Sequence, residues 1–180
     1  MSAEPDRAAA LIERWVRPIP DWPAPGVTFR DITPLLAQPD AFAAVIDAMA
    51  AAGQDFGPID AVLGIEARGF IVGAPVALKL GAGFVPVRKD GKLPAETLSV
   101  SYALEYGEAT IEIHTDALKA GDRVLVVDDV LATGGTLAAT ATLVAEAGAT
   151  VAGYLVAIEL PALDGRSRLA DTPLRSLASF

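Results

Sequence analysis

The stretch Val124-Leu125-Val126-Val127-Asp128-Asp129-Val130-Leu131-Ala132-Thr133-Gly134-Gly135-Thr136 decides the fold of this 180-residue chain. A near-continuous apolar run from 124 that ends in two acids reads as a strand buried on both faces of a parallel sheet, because such strands show no polar alternation. The loop that follows runs directly into a helix whose Leu137, Ala141, Val144 and Gly148 share one stripe. This combination builds a cradle for a monophosphate. The first N–H groups of the helix have no partners within it, Gly134 and Gly135 admit a ligand close to the backbone, and Thr133 and Thr136 add hydroxyl donors. The carboxylates of Asp128 and Asp129 would repel that phosphate and are better matched to the hydroxyl donors of an attached sugar. A phosphorylated sugar satisfies both halves of the stretch.

Working outward, AVLGI (61–65) reads as a second buried strand that feeds a glycine-containing turn and the helix GFIVGAPVALKL. FVPVR (84–88) is a further strand, residues 97–102 and 109–114 form a hairpin around LEYGEA, and VAGYLVAIE (151–159) is the next strand. Strands that alternate with helices predict an α/β fold, a mainly parallel sheet flanked by helices, with ligands at the strands' carboxyl ends. Upstream, Leu11, Ile12, Trp15 and Val16 predict an amphipathic helix over about 6–17, ended by Pro18. Residues 18–36 hold too many prolines for a helix but enough apolar weight, in Trp22, Val27, Phe29 and Ile32, to pack as a loop-rich cap. A helix from Asp40 to about Ala52 follows, and the whole of 1–180 is expected to form one domain.

Composition removes several classes of function. With 14 Lys and Arg against 23 Asp and Glu, a formal charge of −9, the chain lacks the basic footprint that sequence-independent nucleic-acid binding requires. The absence of cysteine excludes disulfides and thiolate zinc sites, and a single histidine excludes a His-cluster metal site. That residue, His114, reads as an ordinary strand position. Of the 52% hydrophobic residues a large part is accounted for by 35 alanines. The longest apolar candidate, 151–160, is about half the roughly 20 residues of a membrane span. No secretory signal is expected at the start, and the predicted location is cytoplasmic. No GxxxxGK[ST] occurs, and Gly81-Ala82-Gly83 lacks the third glycine of a dinucleotide turn.

The strand, acid pair and Thr-Gly-Gly-Thr loop resemble the phosphoribosyl pyrophosphate (PRPP) motif of the type I phosphoribosyltransferases. Four further segments are similar to the adenine phosphoribosyltransferase branch of that family: Pro25-Gly26-Val27-Thr28-Phe29-Arg30-Asp31-Ile32-Thr33-Pro34-Leu35-Leu36, Gly64-Ile65-Glu66-Ala67-Arg68-Gly69-Phe70, Val87-Arg88-Lys89-Asp90-Gly91-Lys92-Leu93-Pro94 and Leu104-Glu105-Tyr106-Gly107. Together the resemblance spans residues 25 to about 165.

The resemblance implies the type I fold with residues 18–36 as a base-binding hood and 89–113 as a flexible β-hairpin lid. It implies transfer of the 5-phosphoribosyl group from PRPP to adenine, giving AMP and pyrophosphate, as in purine salvage. Mg²⁺ would be held mainly by substrate and water, with no direct side-chain ligand, and the chain would be a homodimer with neither nucleic acid nor membrane as partner. Asp128 and Asp129, with Ala132, Thr133, Gly134, Gly135 and Thr136, would take the ribose and 5′-phosphate. Glu66, Ala67, Arg68, Arg88, Lys89 and Lys92 would take pyrophosphate, with a cis peptide at Glu66–Ala67. The catalytic set would be Glu105 and Tyr106 on the lid together with Arg68. Phe29 would stack on adenine, Thr28 and Arg30 would offer main-chain groups to its edge, and Leu160 would face it from the other side. Asp90 departs from the pattern by placing an acid in the basic loop, and the tail after Arg168 lacks a clear final apolar strand. The alternatives are an enzyme for a 6-oxopurine, or a non-catalytic PRPP-sensing regulator, which would need a basic face or an added DNA-binding module.

Overall fold

In the computed structural model, residues 3–103, 107–169 and 171–180 are described. The chain divides into two units, Met1–Ala48 and Met49–Phe180.

The first unit begins with α1 (Ala3–Trp15), which buries Ala8 and Ile12 on one stripe, as apolar residues four apart must in an amphipathic helix. The strands β1 (Arg17–Ile19) and β2 (Phe29–Asp31) pair antiparallel, and α2 (Thr33–Leu36) follows. The predicted loop-rich cap therefore contains a small ladder and one helical turn. Its prolines are compatible with both: Pro18 lies on a two-stranded edge, and Pro34 occupies the first turn of α2, where a missing N–H costs little. Asp31 ties the pieces together. It accepts from Arg17 at 2.6 Å and from the backbone and hydroxyl of Thr33 at 2.9 and 2.7 Å. α3 (Pro39–Gln54) contributes residues to both units.

The second unit is built on a seven-stranded sheet. Its elements are β3 (Ala61–Ile65), α4 (Arg68–Leu80), β4 (Gly83–Lys89), β5 (Thr97–Ala103), β6 (Glu108–His114), β7 (Arg123–Leu131), α5 (Gly135–Glu146), β8 (Thr150–Glu159) and β9 (Leu174–Ser179), in the spatial order β5-β6-β4-β3-β7-β8-β9. β4, β3, β7, β8 and β9 run parallel, while β6 is antiparallel to β4 and β5. β3 is buried along its whole length, and Leu63, Leu125, Val126, Leu143 and Leu155 are fully enclosed. Burial of each such side chain stabilises the fold by about 1.5–3 kcal/mol. Helix α4 packs on β3 and β7, and α5 packs on β5 and β8.

Register sets the site. Leu63 lies opposite Val126 and Gly64 opposite Val127, so the turn after β3 and the acids of β7 emerge side by side at the sheet's carboxyl edge. Predicted boundaries change at three places: the first helix, read over about 6–17, spans Ala3–Trp15, and Arg17 opens β1. β7 continues past the acids because Val130 and Leu131 still pair with Ile158 and Glu159. The tail, read as lacking a final strand, forms β9 beside β8. In LRSLAS only one face meets the core, through Leu174 and Ala178, so the apolar signal is half that of a central strand.

Candidate active site

The segment 128–136, read as a sugar-phosphate motif, lines the first of two adjoining cavities. Asp128, Val130 and the loop Ala132–Thr136 line about 80 Å³ of space at the N-terminus of α5. Gly134, the residue that caps this helix, has φ +78°, a left-handed conformation that L side chains rarely adopt. A β-carbon there would also collide with the carbonyl of Gly165. The second cavity, of about 140 Å³, shares Asp128 and Thr136 with the first and adds Ile65, Glu66, Lys89 and Tyr102. Two of the predicted pyrophosphate residues and the sugar-phosphate loop are thus brought to neighbouring spaces.

Asp128 lies at the junction, and Asp129 follows it, buried beside it. Asp129 is 2% exposed, and Arg68 Nε reaches its Oδ2 at 3.0 Å as an ion pair. That oxygen accepts no directed hydrogen bond, so the Arg68 charge is what compensates it. Asp128 Oδ1 accepts the backbone N–H of Asp129 at 2.9 Å. Burial and then the adjacent Asp129 charge push the pKa of Asp128 well up; burial also raises that of Asp129, with Arg68 opposing it. The N-terminus of α4 comes so close to the pair that a β-carbon on Gly69 would lie 2.9 Å from Asp128 Oδ1.

The turn between β3 and α4 carries a cis peptide at Glu66–Ala67, at the predicted position. Glu66 braces the end of β4, accepting from the Lys89 N–H at 3.0 Å and from Arg88 Nε at 3.3 Å. Burial opposes ionisation of Glu66, yet these donors outweigh it and hold its pKa below the ordinary value. Arg88 also donates to the Lys92 carbonyl at 2.9 Å, so its guanidinium is engaged within the loop, whereas Lys89 and Lys92 are exposed. Asp90 is exposed as well.

Of the predicted base-reading residues, Thr28, Phe29 and Arg30 belong to the first unit, where Phe29 packs edge-on against Trp22 at a centroid distance of 4.5 Å. Leu160 belongs to the second unit; it is half-buried, and its N–H donates to Leu131. Glu105 and Tyr106 lie outside the described residues.

Three contributors were not singled out from the sequence. Tyr102 bonds Thr136, hydroxyl to hydroxyl, at 2.9 Å and so joins the hairpin to the phosphate cradle. The period-two pattern Leu98, Val100, Tyr102, all packed against the core, was the available signal. Glu112 is buried and accepts the N–H groups of Lys92 and Leu93, each at 3.0 Å, which shapes the basic loop. Glu159 accepts two bonds from Arg166, at 2.6 and 2.8 Å, and one from Ser176 at 2.9 Å. It thereby anchors the short 3₁₀ turns 161–163 and 165–168 beside the cradle. Long-range pairs such as these leave no local signal.

Comparison with known proteins gives the family and the fold. The phosphoribosyl transferase domain family matches residues 31–175. The chain is 62% identical over 167 residues to the adenine phosphoribosyltransferase of Acidothermus cellulolyticus, covering 93% of this chain and 94% of that one. It is 60% identical to the corresponding Thermobifida fusca protein, covering 95% and 97%. The crystal structure of the Thermoanaerobacter pseudethanolicus adenine phosphoribosyltransferase superposes with a TM-score of 0.91 at 49% identity, covering 96% and 99%. The Saccharomyces cerevisiae enzyme, solved with adenine and an imino-altritol bisphosphate, also gives 0.91, at 39% identity and the same coverage.

Proposed function

The chain belongs to the adenine phosphoribosyltransferase family, and from that membership we infer that it transfers the 5-phosphoribosyl group of PRPP to adenine, giving AMP and pyrophosphate in purine salvage. The observation that carries this reading is the pair of cavities joined at Asp128 and Thr136, one at a helix N-terminus and the other beside Glu66 and Lys89.

The 5′-phosphate rests on the N–H groups of the Ala132–Thr136 loop, and the ribose hydroxyls donate to Asp128 and Asp129. The turn Glu66–Gly69, with Arg68, Lys89 and Lys92, takes the pyrophosphate, and Arg88 holds the shape of that loop. As the bond from C1 to pyrophosphate breaks and the bond to the base nitrogen forms, positive charge develops on the sugar, and the base gives up a proton. We assign Glu105 as the carrier of that proton and Tyr106 to lid closure, with 89–113 acting as the lid that excludes water. Base recognition we assign to Phe29, with the main chain of Thr28 and Arg30 in a hood of residues 18–36, and to Leu160.

The donor set fits Mg²⁺. Asp128 is a carboxylate on the wall of both cavities, and this ion takes few protein ligands and keeps substrate oxygens and water. When bound, it neutralises charge on the departing pyrophosphate. The reading also places the protein in the cytoplasm as a homodimer; no helix among the described residues is long and apolar enough to cross a membrane.

The test is pyrophosphate release from PRPP and Mg²⁺ with each nucleobase in turn. Turnover with adenine is expected. Turnover only with a 6-oxopurine would overturn the specificity, and none with any base would favour the PRPP-sensing regulator. Replacing both acids, Asp128→Asn with Asp129→Asn, should lower kcat/KM for PRPP by about a hundredfold or more, given the strength of hydrogen bonds to charged acceptors.

A further inference from the structure

We propose that Arg168 is the cation that pairs with the 5′-phosphate of the phosphoribosyl substrate, an inference that rests on the phosphoribosyl reading of the Ala132–Thr136 loop. That loop contains no basic residue, and neither does any position from 124 to 165. Two cations follow in the 165–168 turn, and the structure separates their tasks. Arg166 is neutralised by its two bonds to buried Glu159. Arg168 forms no ion pair or hydrogen bond among the described residues and points back over the cradle: a β-carbon on Gly135, the first residue of α5, would lie 3.6 Å from Arg168 Nη1 and 3.6 Å from the Tyr102 ring. The turn that carries Arg168 is held in place. Besides the Glu159 anchor, Ser167 Oγ donates to the Asp164 carbonyl at 2.7 Å, and Gly165 packs against the carbonyl of Ala132. A guanidinium at the positive end of a helix is unfavourable by itself. An anion between the two satisfies both, and arginine's planar fork suits a phosphate.

The test is calorimetric titration with ribose 5-phosphate, followed by steady-state kinetics with PRPP. Arg168→Ala should weaken ribose 5-phosphate by about fivefold or more, the upper range for a solvent-exposed ion pair. Arg168→Lys should recover most of that loss, and Arg175→Ala, which removes an equal charge from the exposed face of β9, should leave affinity unchanged. Wild-type affinity should fall more steeply with ionic strength than that of Arg168→Ala. In kinetics the loss should appear in the PRPP KM, with kcat and the adenine KM retained and the Tm unshifted. Equal affinity of Arg168→Ala and wild type, or an equal loss in Arg175→Ala, would overturn the assignment. A wild type that binds ribose 5-phosphate yet turns over no base would remove the proposed reaction and leave Arg168 standing, whereas one that does not bind ribose 5-phosphate would remove both.

Discussion

Asp31 gives up its proton far more readily than an ordinary aspartate. Bonds from the Thr33 hydroxyl and backbone, with Arg17 beside it, hold its pKa down to about 2 from 3.8. A depressed pKa contributes stability that is complete above the unfolded value and is lost as pH falls through the folded one. The Tm gap between wild type and Asp31→Asn should therefore be full at neutral pH and close between about pH 4 and pH 2. A gap unchanged across that window in thermal melts would contradict the role given to this carboxylate. The same residue shows how far a motif can be read. Asp31 belongs to the quoted segment 25–36, but its partner Arg17 lies fourteen positions away and outside it. Tyr102 and Glu112 were hidden for the same reason: a hydrogen bond across 34 residues, or a buried acid between Ile111 and Ile113, reads as ordinary strand until the partner is in place.

At the scale of elements, the strand-turn-helix units were the most legible, because a buried strand, a glycine and an apolar helix face leave contiguous signals. The unit β3–α4 also shows what such a turn requires. Gly69 lets α4 start against β7, with Asp128 Oδ1 and the Val127 carbonyl 2.9 and 3.0 Å from where a β-carbon would sit. Both contacts are on one strand and neither has room to yield without moving the acid pair. Gly69→Ala should destabilise the fold by about 1–3 kcal/mol, as overpacking does, and should also raise the PRPP KM. A variant with unchanged Tm and KM would mean that α4 shifts freely at its N-terminus. β9 was the element hardest to read, since an edge strand with one face on the core carries only alternate apolar residues.

For the whole molecule, β9 couples the sheet edge to the site. It covers β8, and its Ser176 completes the bonds of Glu159, which holds Arg166 and with it the turn beside the cradle. Ending the chain after Pro173 should expose the β8 edge, lower the Tm and promote aggregation in light scattering, and the surviving folded fraction should bind ribose 5-phosphate more weakly. A truncated chain with wild-type melting and binding would show that the tail is dispensable. Charge follows the same division of labour. The chain is acidic overall at −9, yet Lys89 lines one cavity together with Asp128, and Arg68 pairs with the buried Asp129. By itself the sequence determined the α/β class, the strand that ends in Asp128 and Asp129, and the glycine-threonine loop that opens α5, since each is written in neighbouring residues. Only the tertiary structure decided that Arg68 faces Asp129, that Arg88 braces Glu66, and that Tyr102 and Arg168 meet over Gly135. Those contacts join segments 22 to 61 positions apart, and their geometry depends on strand register and sheet order, which no local pattern encodes.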